Sequence, residues 1–139
     1  MFIIDSISFS GLFKFTSTHT GLYYLVVKHF NCIETWSKAG GEYLIDDGQT
    51  YTYDFTSSVS QAYGNNLKPK GTKYCIFSGD VNQSGFIDGS DQQLLDNDSY
   101  KYTTGLRLPS DLNGDNIVDA SDLQIEENNS YLFVGVISP

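Results

Sequence analysis

The sequence predicts a chain in two parts: an antiparallel β-sandwich over residues 1–77 and a small α module of two loop–helix units over residues 78–139. Three observations carry this prediction. Apolar and polar residues alternate with a period of two through much of the first part, the pattern of a half-buried strand. In the second part a twelve-residue loop is written twice, each copy leading into a helix-like stretch. One constant offset joins Asp80 to Asp111, Asp91 to Asp122, Leu94 to Ile125 and Tyr100 to Tyr131. The charge also divides. Residues 1–79 hold six acids and six lysines, whereas residues 80–139 hold eleven acids against Lys101 and Arg107, so the net charge of −9 belongs to the second part.

Taken in order, Phe2 to Phe9 is the first strand candidate, followed by Phe13 and Phe15 alternating with Lys14 and Thr16. Leu22 to Phe30 is a longer strand buried on at least one face. Ile33 to Ser37 and Lys73 to Phe77 are shorter ones. Tyr51, Tyr53 and Phe55 alternate with Thr50, Thr52, Asp54 and Thr56. Breakers separate these runs at Gly11, Gly21, Gly40-Gly41, Asp46-Asp47-Gly48 and Gly64-Asn65-Asn66, with Pro69 and Gly71 beyond. Short strands with a turn every ten residues or so suggest a sandwich. It is short for a complete one, so a strand or two is expected to be missing. Cys32 and Cys75 both fall in this part; they read either as a disulfide, which would contribute roughly 4 kcal/mol by closing a long loop, or as two buried thiols.

The first loop is Asp80-Val81-Asn82-Gln83-Ser84-Gly85-Phe86-Ile87-Asp88-Gly89-Ser90-Asp91, and the second is Asp111-Leu112-Asn113-Gly114-Asp115-Asn116-Ile117-Val118-Asp119-Ala120-Ser121-Asp122. Oxygen-bearing side chains stand at positions one, three, five, nine and twelve of both. This is the spacing by which an EF-hand-type loop surrounds a hard cation with oxygen. The expected ligands are Asp80, Asn82, Ser84, Asp88 and Asp91, then Asp111, Asn113, Asp115, Asp119 and Asp122. Position seven offers its backbone carbonyl, at Phe86 and Ile117, and the cofactor is two Ca²⁺. Position six needs a left-handed backbone, which Gly85 accepts freely and Asn116 at low cost. Ile87 and Val118, at position eight, are expected to pair the loops with each other. Helices are expected over Ser90–Asp96 and Ser121–Asn128, and Pro109 stops any helix before the second loop.

These residues carry a family resemblance. Gly-Asp-Val-Asn before loop one, Asp at position twelve in both loops, one helix after each loop and the tandem spacing make residues 79–133 similar to a type I dockerin. That resemblance implies a module whose two copies pack by a pseudo-twofold and dock a cohesin-like protein domain through positions ten and eleven, here Gly89, Ser90, Ala120 and Ser121. The serine hydroxyls are expected to face outward, free for the partner. Ser84 at position five and Asn116 at position six depart from the commonest dockerin pattern. The first part resembles, more loosely, the β-sandwich modules that precede dockerin-like repeats in large secreted bacterial proteins.

Other chemistries have little support. The acidic second part disfavours nucleic acid, and no run is long or apolar enough to span a bilayer. His19 and His29 have no metal-ligand spacing, and no acid pair stands out, so an enzyme is not expected. Trp36, Tyr43, Tyr51 and Tyr53 could stack on a sugar, but their alternation fits a sandwich core better. Met1 to Asp5 lacks the basic start of a secretory signal, and Asp5 and Ser6 interrupt its apolar run. Calcium loops suit an extracellular setting. The expectation is therefore a monomeric, secreted or cell-surface piece from the C-terminal part of a longer protein linked to polysaccharide degradation; the alternative is a start at an internal Met. The rival functions are a calcium-stabilised structural or sorting module without a cohesin, and carbohydrate binding by the sandwich.

Overall fold

A computed structural model of the chain describes residues 10–15 and 19–139. The first strand candidate, Phe2 to Phe9, lies outside them. Among the described residues, the first part contains three short antiparallel strand pairs and two 3-10 turns, Val59–Gln61 and Tyr63–Asn65. β1 (Gly21–Tyr23) pairs with β4 (Glu42–Leu44), β2 (Val26–Val27) with β3 (Thr35–Trp36), and β5 (Lys68–Lys70) with β6 (Lys73–Cys75). The first two pairs form one interrupted hairpin. Tyr23 faces Glu42 and Val26 faces Trp36, so two residues on one side oppose five on the other. The surplus contains Gly40 and Gly41, both at positive φ. A Cβ on Gly41 would come within 2.8 Å of the Tyr23 carbonyl oxygen, which makes this a glycine position. The predicted strand Leu22–Phe30 is therefore cut in two, and Ser37 spans the break: its N–H donates to Leu25 O at 2.8 Å and its Oγ accepts from Leu25 N–H at 2.9 Å. The β5–β6 hairpin turns on Gly71, φ +61°, followed by Thr72; a primed hairpin turn wants glycine there.

Two strand expectations are corrected. Residues 50–56 alternate as a strand would, yet they are not one. Asp54 Oδ1 accepts from the N–H and the hydroxyl of Thr56, both at 2.7 Å, an Asx turn that ends the extended run. The tyrosines serve as struts instead: the Tyr53 hydroxyl donates to Gln61 O and accepts from Lys38 N–H. Phe13 and Phe15 likewise do not lie in a strand, and both are exposed. Cys32 and Cys75 are free thiols. Burial, with the nearby Cys75 and Asp80, pushes the Cys32 thiol up to about 12, so it stays protonated.

The tip of the interrupted hairpin docks on the second part. Ile33 N–H donates to Phe77 O, and Gly79 N–H to Asn31 O. Ile33, Ile87 and Val134 form the buried cluster, flanked by Phe77 and Val136. The core thus spans the boundary expected at residue 77.

The second part contains α1 (Gly89–Tyr100) and α2 (Ala120–Ser130), each reaching further than expected. Asp88 and Asp119 cap them, and Asp91 and Asp122 close a capping box back onto the cap N–H. The two loops do not pair with each other. Ile87 N–H donates to Val134 O and Val136 N–H to Gly85 O, so loop one is strapped by the chain that follows α2. Val118 N–H donates to Thr103 O and Gly105 N–H to Asn116 O, so loop two is strapped by the chain that follows α1. Each strap bond in one copy has its counterpart at the repeat-equivalent residues of the other. The helix ends complete the exchange: Asp98 accepts from the Ser110 hydroxyl ahead of loop two, and Asn129 donates to Ser78 O ahead of loop one.

One pair breaks the symmetry. Leu95 and Glu126 occupy equivalent positions in the two copies, and both are fully buried. Neither carboxylate oxygen of Glu126 has a hydrogen-bond partner. Burial, then the charges of Asp91, Glu127 and Asp96, raise its pKa from 4.5 to about 7. A carboxyl whose folded value lies above its unfolded one stabilises the fold in its protonated form, so its contribution declines as pH rises from about 4.5 through 7. Glu126→Leu, which restores the repeat residue, should raise stability at pH 7.5 by about 1–3 kcal/mol and less at pH 5. Denaturant unfolding of both proteins across that range checks this; a gain that grows on acidification would reverse the sign.

Candidate metal centre

Each loop is wound around its first carboxylate. Asp80 accepts from Ser84 N–H at 2.9 Å and Gly85 N–H at 3.1 Å. Asp111 accepts from Gly114, Asp115 and Asn116 N–H at 2.7, 3.2 and 2.9 Å. Such a coil requires left-handed residues. Position six supplies one in each loop, Gly85 at φ 90° and Asn116 at φ 70°; position four supplies another, Gln83 at 57° and Gly114 at 83°. Of these two left-handed positions each loop fills one with glycine, at opposite places. The left-handed Gln83 was not foreseen, although Gly114 at the matching position was the signal for it. Gln83 is held there by its amide, which donates to Asp80 O at 2.7 Å.

The twelfth residue ties the ends. Asp91 accepts from Asn82 and Asp88 N–H, each at 3.1 Å. Asp122 accepts from Leu112, Asn113 and Asp119 N–H between 2.7 and 3.0 Å. Asn82 and Asn113 accept from Ser84 and Asp115 N–H, both at 2.8 Å. The Ser84 hydroxyl donates to the Phe86 carbonyl, and Ile117 N–H donates to Asp115. All ten side chains expected as ligands, and both position-seven residues, are thus gathered into two matching hydrogen-bonded cages. Asp80, Asp91, Asp111 and Asp122 are buried, while Ser84, Asp88 and Asp115 are exposed at the mouths.

The carboxylates turn toward N–H groups rather than toward one point: among the described residues, no three His, Cys, Asp or Glu side chains converge as a metal-holding group. The donor set is nonetheless all oxygen, with three carboxylates in loop one and four in loop two. That chemistry fits a hard cation that takes six to eight oxygens. A carboxylate oxygen bonded to one N–H keeps a second lone pair. Burial and the charge of Asp91 raise the pKa of Asp80, against the pull of its N–H donors. The Ser90 and Ser121 hydroxyls hold Asp88 and Asp119 below the usual carboxylate range.

Those two serines depart from expectation. Both are exposed, as are Gly89 and Ala120, but neither hydroxyl is free. Ser90 Oγ donates to Asp88 at 2.6 Å and accepts from Asn82 Nδ2 at 2.8 Å; Ser121 Oγ does the same with Asp119 and Asn113, both at 2.7 Å. Position eleven closes the cage as well as fronting it. Sequence reasoning also missed Asn31, whose amide reaches from the first part to Asp111 O at 3.1 Å. The chain matches no protein-family model, no curated protein and no solved structure.

Charge count sets the expected order of affinity: loop two should bind Ca²⁺ more tightly than loop one, because four carboxylates attract the ion more than three. Asp91→Ala leaves loop two intact and Asp122→Ala leaves loop one. Calorimetric titration of both should find the tighter remaining site in Asp91→Ala, and the opposite order would refute the charge argument.

Proposed function

We propose that this chain is a calcium-dependent attachment module, dockerin-like in its second part, that joins a secreted or cell-surface protein to a cohesin-type partner domain in a setting linked to polysaccharide degradation. The observation that carries the reading is the register of the two cages. Position by position, the carboxylates at one and twelve, the amide at three, the cap at nine and the serine at eleven make equivalent bonds in both copies. Two like faces, one from each copy of the repeat, are what a partner able to bind in either of two orientations needs. Each face presents Gly89-Ser90 or Ala120-Ser121 beside an oxygen-rich loop.

Calcium has a simple task in this reading. When bound, it neutralises carboxylates that otherwise repel one another at the start of each helix. In the finer reading of the first part, its strand pairs are the described portion of a sandwich module. The rival in which calcium serves only structure draws on the shared cluster of Ile33, Ile87 and Val134, since a rigid loop one would also brace the hairpin tip.

With a chelator, residues 78–139 should lose helical circular dichroism, because eleven acids against two bases remain without a counter-charge; unchanged helicity would count against the proposal. With calcium, Ser90→Arg or Ser121→Arg alone should leave binding to a cohesin domain measurable. The double variant should lose binding at least a hundredfold, read at calcium concentrations that saturate both loops by calorimetry, because each serine hydroxyl also bonds two expected ligands. Wild-type affinity in the double variant would reduce the module to a calcium-stabilised structural element.

A further inference from the structure

The aromatic residues that follow the two helices stand where the backbone least favours them. Tyr102 and Phe133, equivalent in the repeat, have left-handed φ of 48° and 53°. After α1, Tyr102 N–H donates to Ser99 O and Thr103 N–H to Asp98 O, both at 3.0 Å. This is a Schellman closure, and Tyr102 holds the place usually given to glycine. Phe133 N–H makes the equivalent bond to Ser130 O at 2.9 Å. Burial does not compensate: Tyr102 is 76% exposed and Phe133 91%. A bulky residue held left-handed and left in water, in both copies, does nothing for stability.

At the first copy the ring borders a concave site. Ser99, Tyr100 and Tyr102 at the end of α1, with Asp119 and Ala120 at the start of α2, line a cleft of about 410 Å³. Two tyrosines and an aspartate lining one cleft suit an organic cation. The ring faces attract positive charge, and the carboxylate adds a charged acceptor. The surroundings agree, with eleven acids and only two bases over residues 80–139. Lys101, between the two tyrosines in sequence, is not among the residues that line the cleft.

We propose that this cleft receives a basic side chain of a partner protein, an arginine before a lysine, because a planar guanidinium can stack on the rings while it reaches Asp119. The inference rests on the attachment reading for its occupant being part of a protein. A neutral sugar would use the rings but leave the acidic setting without a role.

The test uses the full chain, ¹⁵N-labelled and loaded with calcium, titrated with acetyl-Gly-Arg-Gly-amide and with the same peptide carrying neutral citrulline. The arginine peptide should give saturable shifts at residues 99–103 and 119–120, and the citrulline peptide should not. Tyr102→Gly should weaken binding roughly two- to five-fold, as for loss of one exposed cation–π contact, and should melt no lower than the parent because glycine relaxes the turn. Equal shifts with citrulline, larger shifts with a neutral cello-oligosaccharide, or unchanged affinity in Tyr102→Gly would overturn the proposal. Calorimetric uptake of calcium by the same samples is read separately. Its absence would defeat the attachment reading, while the peptide titration would still decide the cleft.

Discussion

The exchange of straps between the two repeats is the constraint on which the rest of the second part depends. Neither loop–helix unit closes on itself. Loop one needs the carbonyl of Val134 and the N–H of Val136, and loop two needs those of Thr103 and Gly105. Small apolar residues make this possible in a segment so acidic. Ile87 and Val118 lie buried beneath the straps, with Leu95 between the helices, and fixing them also fixes where each capping aspartate sits. The oxygen cages are consequences of that closure, because the N–H groups that Asp80 and Asp111 collect are aligned only once the loop's far end is held.

Electrostatics and hydrogen bonding pull in different directions within the cages. Burying Asp91 and Asp122 completely costs desolvation. Two or three N–H bonds to each offset that cost, and the capping box gives the same carboxylates a second use at the helix N-terminus, where negative charge is favoured. Glu126 has neither compensation. It stands where the other repeat has leucine, and it is the clearest point at which the duplicated sequence has drifted from its own symmetry.

Much of the second part was legible because its signals are local. A twelve-residue loop, an N-cap aspartate and a constant offset between copies can each be read without knowing the fold, and the left-handed turn at Gly85 and Asn116 followed from residue type. What failed was long-range. Position eight looked fit for loop-to-loop pairing, since Ile87 and Val118 have the right character; the partner strand is instead the chain beyond the opposite helix, which carries no pairing motif. The first part was harder for a related reason. Tyr51, Tyr53 and Phe55 alternate as in a strand, but an Asx turn at Asp54 and the hydroxyl bonds of Tyr53 take precedence over the pattern. Leu22–Phe30 forms strand only at its first two residues and at Val26–Val27, and none of it is buried, because the five residues 37–41 face only Tyr24 and Leu25 and divide the pairing. Asn31, which ties the hairpin tip to loop two, gave no signal beyond its position in a turn.

The straps also impose an order on the closing of the two loops. Loop two is completed by residues only eleven to fifteen positions before their partners, so its contacts are nearly local. Loop one must recruit residues about fifty positions further along, and a fourfold longer closure carries an added entropy cost of about 1.2 kcal/mol. On chain entropy alone, the second repeat assembles first and the first repeat waits for it. The hairpin tip, through Ile33, then meets a surface that exists only after Val134 has arrived. The unit nearest the first part in sequence thus carries the longer closure, and the contact made through Ile33 depends on it, whereas the bond from Asn31 to Asp111 needs only loop two.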